Sequence, residues 1–142
     1  MALMLAGTVL PEPSPVGYWL TEKHDGIIQL FRCGGDALCG KLVWFQVDAN
    51  DPDPRDRKNP DPALRGKSLC GLMLISGFTA AGSGEWQGGL IYDPDNGNTY
   101  HATIKVRTNG DLDLHGYIGV PLLGRSEIWT RYTQQPPTCL TR

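Results

Sequence analysis

His24, His101 and His115 are the only histidines in the chain. An imidazole can serve as general base, nucleophile partner or metal ligand near neutral pH. None of the three stands in a spacing that such chemistry uses. His24 belongs to His24-Asp25-Gly26, a tight-turn signal. His101 and His115 alternate with apolar residues, on the polar side of their segments. Surface positions are therefore expected for all three. Gly-x-Ser-x-Gly, His-Glu-x-x-His and a phosphate-cradling glycine loop are all absent from the sequence. The nearest approach to a catalytic group is Tyr92-Asp93-Pro94, with Tyr100 beyond the next turn and Arg65 available as a partner for Asp93. A carboxylate with no second carboxylate at a defined distance makes no acid–base pair. Turn capping is the expected role of Asp93, and the chain is expected not to be an enzyme.

A second cluster of oxygen ligands lies in the loop from Asp48 to Pro62. Asp48, Asn50, Asp51, Asp53, Asp56 and Asp61 could hold calcium by type and spacing. The turn glycine and distal glutamate of a helix-loop-helix site are missing, and Arg55, Arg57 and Lys58 neutralise the charge. No metal and no cofactor are expected. Prolines 52, 54, 60 and 62 exclude a central strand or a helix. A solvated, stiffened loop long enough to reach one mouth of the fold is expected.

The four cysteines stand at 33, 39, 70 and 139. Cys33 and Cys39 flank Gly-Gly-Asp-Ala-Leu between two apolar runs, at the mouth of a hairpin, with no histidine nearby. That arrangement fits a disulfide better than zinc, which takes four convergent ligands. A disulfide implies an oxidising compartment, periplasmic or extracellular. For Cys70 and Cys139 both a bridge and free thiols remain open.

The elements that must position these groups read as strands. The chain has 142 residues, 40% hydrophobic content, 18 glycines and 11 prolines, which suits one turn-rich domain. A net charge of −2 offers no footprint for nucleic acid. No apolar run reaches the length of a membrane helix, about 20 residues. Strands are expected at 16–23, 27–32, 38–47, 68–78, 85–93, 100–106, 112–116 and 126–132, with a small-residue turn at 79–84 and one helical turn near Ala63–Gly66. Asn109-Gly110 and Pro94-Asp-Asn-Gly97 mark hairpins. Regularly spaced strands argue an all-β barrel or sandwich. Met1 to Leu10 is apolar and uncharged, like the core of a signal peptide. The domain division is a residual signal or extension at 1–15, the barrel at 16–133 and a tail at 134–142.

Closure is the central structural expectation. Gly17-Tyr-Trp19 opens the fold, and a glycine-punctuated turn with an apolar tip leads into Trp129-Thr-Arg131. First and last strands that meet leave no open edge. Trp19 is expected to be buried under an arginine of the last strand, Arg131 first and Arg125 second.

Several separated motifs carry a resemblance. They are Asn59-Pro-Asp-Pro62, Leu64-Arg-Gly66, Gly71, Gly88-Gly-Leu-Ile-Tyr-Asp-Pro94, Gly97, Tyr100, Gly116-Tyr117, Gly124-Arg125 and Trp129-Thr-Arg131. In this order they resemble the bacterial domain-of-unknown-function family 2147, small exported proteins with a lipocalin-like barrel. The likeness runs from Gly17 to Arg131 and implies fold and export. Cys33 and Leu38-Cys39-Gly40 resemble a pair found in many members. Gly17-x-Trp19 also resembles the lipocalin opening, in which an arginine of the last strand packs on the tryptophan. No counterpart of the lipocalin C-terminal helix is expected from the ten residues, two of them prolines, after Tyr132.

An up-and-down barrel of about eight strands can be filled or can hold one small guest. Leu90, Ala102, Ile104, Val106, Leu112 and Leu114 are the expected lining of such a site, with Ile91 the alternative to Leu90, and Ala102, Gly116 and a small residue at 88 or 89 leaving room. The expected function is to bind a small hydrophobic or amphipathic, fatty-acid-like molecule. The alternative is a structural or interaction module with a packed core.

Overall fold

The computed structural model describes residues 13–119 and 124–139. The apolar N-terminal stretch, the start of the proline spacer and the apolar tip at 120–123 lie outside the described residues. Eight strands follow one another: β1 (Gly17–Leu20), β2 (Gly26–Arg32), β3 (Leu38–Phe45), β4 (Met73–Gly82), β5 (Glu85–Asp93), β6 (Asn98–Val106), β7 (Leu112–Tyr117) and β8 (Arg125–Tyr132). Each pairs antiparallel with the next, and β1 pairs with β8, so the sheet closes into a barrel. Among the described residues the one helical element is a 3-10 turn at Pro62–Leu64. Its N-cap Asp61 accepts from the Ala63 N–H at 3.0 Å.

Alternation builds the wall. Ala102, Ile104 and Val106 of β6 are buried between exposed His101, Thr103 and Lys105. Leu112 and Leu114 of β7 continue the inward face at 0% and 5% exposure. The largest differences from the sequence reading are the two ends of β4. β4 starts at Met73 and not at Ser68, because Leu69 and Gly71 spend their N–H groups on Pro54 and Leu42. It then runs through the expected turn to Gly82, since Thr79, Ala80 and Gly82 find partners on β5.

The barrel closes as the tryptophan and arginine require. Trp19 is fully buried and pairs in register with Arg131. The Arg131 guanidinium stacks 4.1 Å from the indole centroid. It also donates to the Val16 and Ser14 carbonyls at 2.8 and 2.7 Å. The indole N–H donates to the Pro15 carbonyl at 2.8 Å. Gly17 sits directly beneath that guanidinium, where a methyl group would crowd it. Arg125 is exposed at the opposite end of β8, paired with Gly116, and takes no part. A strand of eight residues carries its two ends too far apart for both arginines to reach one indole.

In an up-and-down barrel consecutive connections alternate between the two ends. The turns at 33–37, 83–84 and 107–111 share one end with the Trp19–Arg131 closure. The β1–β2 turn, the long 46–72 connection and the 94–97 turn share the other. Trp19, Trp86 and Trp129 all lie toward the first end by their register. With Phe78, Phe45 and the aliphatic residues they form one continuous core. Phe78 covers Gly89 so closely that no side chain would fit there. The interior is thus filled by side chains.

Both disulfides are present. Cys33–Cys39 closes the β2–β3 hairpin, and Cys70–Cys139 ties the C-terminal tail to the long connection. Cys139 is buried and joins the core, against which Val47, Leu69 and Cys70 also pack.

Candidate functional site

The 46–72 connection does not hang in solvent; it is hydrogen-bonded within itself and docked on the barrel. Arg55 forms a bridge with Ser68, the Asp56 N–H donates to Lys67 and the Leu69 N–H to Pro54. Arg57 grips Asp51 with two hydrogen bonds of 2.7 and 3.2 Å, and Arg55 pairs with Asp53 at 2.6 Å. These ion pairs consume carboxylates that the sequence made available to calcium. Among the described residues, no group of three or more metal-ligating side chains converges.

Docking depends on the β5–β6 turn. Lys58 donates its ammonium to the Asp95 carbonyl at 2.7 Å. Gly97, with φ of 76°, lies hard against the Lys58 carbonyl, and a β-carbon there would collide with it. Asp93 holds the same turn by accepting from the Asp95 N–H at 2.9 Å, the capping role expected of it. Gly97→Ala is expected to lift the connection off the turn and to cost about 1–3 kcal/mol, read as a lower urea midpoint.

At the centre of this contact is Asp56, 1% exposed. Its carboxylate accepts from the Tyr92 hydroxyl at 2.6 Å and from the Asn59 amide at 2.8 Å. Among the described residues, no ammonium or guanidinium lies within ion-pair reach of it. Tyr92 comes from the outer wall of β5, because its neighbour Ile91 pairs with buried Ile75 across the inside. Burial first, and then the Asp56 carboxylate, push the Tyr92 phenol up to about 12. The protonated phenol is the form the fold holds. Its contribution is complete below the ordinary value of 10.0 and is lost as pH rises toward 12. Spectrophotometric titration of the five tyrosines should show one ionising last, and Tyr92→Phe should remove that step.

Beside Asp56 and Tyr92 opens a cleft of about 550 Å³ between the docked connection and the outer wall. Leu64, Leu72 and Met73 supply its apolar surface, with Lys67 and Ser68 at the polar side. Met73 is 46% exposed, an apolar side chain held at the rim. A second concavity of about 410 Å³ lies on the outer face of β5 to β8. Its charges are already spent on one another: Lys105 on Glu85 at 3.7 Å and Arg107 on Asp113 at 2.5 Å. His115 bonds Ser126 there at 2.8 Å.

The expected site residues fall in three groups. Ala102, Ile104, Val106, Leu112 and Leu114 face inward and are packed into the core. Leu90 faces outward, 41% exposed, which corrects its inward assignment. The cause is a bulge between Trp86 and Gly89, with Gly88 at φ of 77°; it shifts the inward face onto Ile91. The Tyr92, Asp93 and Arg65 grouping does not form. Arg65 is exposed and donates to the Asn59 carbonyl at 2.7 Å. His101 stacks on Tyr117 on the outer face. Asp56 is the residue the sequence hid, placed between two arginines that made it look solvated. Asn59 and Tyr92, both in the quoted motifs, were the available signal.

A family model described as an uncharacterized protein conserved in bacteria, DUF2147, matches residues 17–131. The chain belongs to this family. The DUF2147 match spans the whole barrel from β1 almost to the end of β8. Among solved structures, protein HP1028 from the human pathogen Helicobacter pylori, described as belonging to the lipocalin family, is similar to this DUF2147 chain. It superposes with a TM-score of 0.74 at 24% identity, covering 84% of each chain. That likeness shows a lipocalin-like fold. No curated protein matches the chain.

Proposed function

We propose that this DUF2147 barrel is an exported, non-enzymatic binder of a small hydrophobic or amphipathic molecule. The cleft beneath the docked connection is its site. The observation that carries this reading is the cleft itself: about 550 Å³, with an apolar floor and a few fixed polar groups. Small-molecule sites have that size and that mixture. Of the residues first expected to line a guest site inside the barrel, all but the outward-facing Leu90 are packed into the core, so the guest is assigned to the flank. Two disulfides favour an oxidising compartment, and no helix among the described residues is long and apolar enough to cross a membrane.

The test is titration of the oxidised protein with an environment-sensitive apolar dye. One saturable site, lost when Leu72→Asp places a charge on the cleft floor, is the expected result. A second reading, a packed interaction module, is favoured by the filled core and gains if the dye never saturates.

A further inference from the structure

Resting on the binding reading above, we propose that the cleft selects a guest with a cationic head, an alkylammonium-like amphiphile, over a fatty-acid-like anion. The argument starts from Asp56. A carboxylate taken out of water is ordinarily matched by a cation or a metal. Asp56 is almost wholly buried and meets two neutral donors, the Tyr92 hydroxyl and the Asn59 amide. The basic residues around it are directed elsewhere: Arg55 to Asp53, Arg57 to Asp51, Lys58 to the Asp95 carbonyl and Arg65 to the Asn59 carbonyl. Each of those cations is thus engaged by a partner other than the Asp56 carboxylate. Each Asp56 oxygen accepts one hydrogen bond in the structure and retains acceptor capacity. The Tyr92 oxygen, having donated its proton, can also accept. The inner wall of the cleft is therefore a set of acceptors next to an unmatched charge.

An ammonium supplies what is missing: donors and a positive charge. Leu64, Leu72 and Met73 lie in the same cleft and would cover the guest's apolar body. A carboxylate head would meet the Asp56 field with the wrong sign. Exposed Lys67 at the polar side is the one feature of the lining that would favour it. Burial decides between the two, because a buried charge acts through a low dielectric and an exposed ammonium is screened.

The experiment is dye displacement by octylammonium, octanoate and octanol on the full, oxidised chain. Octylammonium is expected to bind at least about tenfold tighter than octanoate. Asp56→Asn should abolish that preference, read as the ratio of the octylammonium and octanoate dissociation constants falling to about one. Tyr92→Phe, which keeps the carboxylate, should leave a reduced preference; this variant decides the matter if Asp56→Asn fails to fold. If octanoate binds as well as octylammonium, the head-group inference is overturned and the binding reading stands. If none of the three displaces a dye that does bind, the inference is overturned as well. If no dye binds, both fall.

Discussion

Trp19→Ala is expected to lower the stability of the barrel by about 3–5 kcal/mol, the range for removing a buried aromatic side chain. The indole is fully buried, fills the end of the barrel and carries the Arg131 guanidinium on its face. Its loss opens a cavity and removes the platform on which two hydrogen bonds from Arg131 to the N-terminal segment are built. Arg131→Ala, which leaves the core filled, should cost about 0.5–2 kcal/mol from the stacking contact alone. Urea denaturation of both variants separates the two contributions. A cost for Trp19→Ala of about 0.5 kcal/mol, typical of an exposed site, would contradict closure by this pair.

Removing the Cys70–Cys139 bridge is expected to cost about 4 kcal/mol, against about 2 kcal/mol for Cys33–Cys39. The difference follows from chain entropy: the sequence separations are 69 and 6 residues. The longer bridge restrains half the unfolded chain, while the shorter one restrains a hairpin that its own turn already favours. Cys70→Ala/Cys139→Ala and Cys33→Ala/Cys39→Ala, compared by denaturant midpoint, give the ranking. The reverse order would show that strain or unfolded-state structure outweighs loop entropy.

The eight strands, their order and the pairing of Trp19 with the last strand were all legible in the residues. Alternation in 100–106 is unbroken there, and Gly17-x-Trp19 with Trp129-Thr-Arg131 marks the seam. The errors sit where local pattern and three-dimensional register part company. Leu90 lies one residue past a bulge, and one inserted residue exchanges the faces of a strand. Ser68 to Leu72 has the composition of a strand, yet its N–H groups scatter over Pro54, the Ser68 hydroxyl, Leu42 and Leu69 instead of forming a ladder. The candidate site was harder still. Asp56 stands among prolines and arginines, a context that reads as solvent. Only the fold of the connection onto the β5–β6 turn removes its water and brings Tyr92, 36 residues away, to its carboxylate. Nor does composition report packing density: Ala102 and the glycine at 89 looked like space, until Phe78 was placed over the latter.

The central claim, a guest held on the flank of a filled barrel, is tested most directly by amide chemical-shift mapping of the isotope-labelled, oxidised protein with octanol. The account predicts saturable shifts confined to the cleft, at Leu64, Leu72, Met73 and Tyr92, with Ile104, Leu112 and Leu114 unmoved. Shifts centred on those three interior residues, or none that saturate, would contradict it.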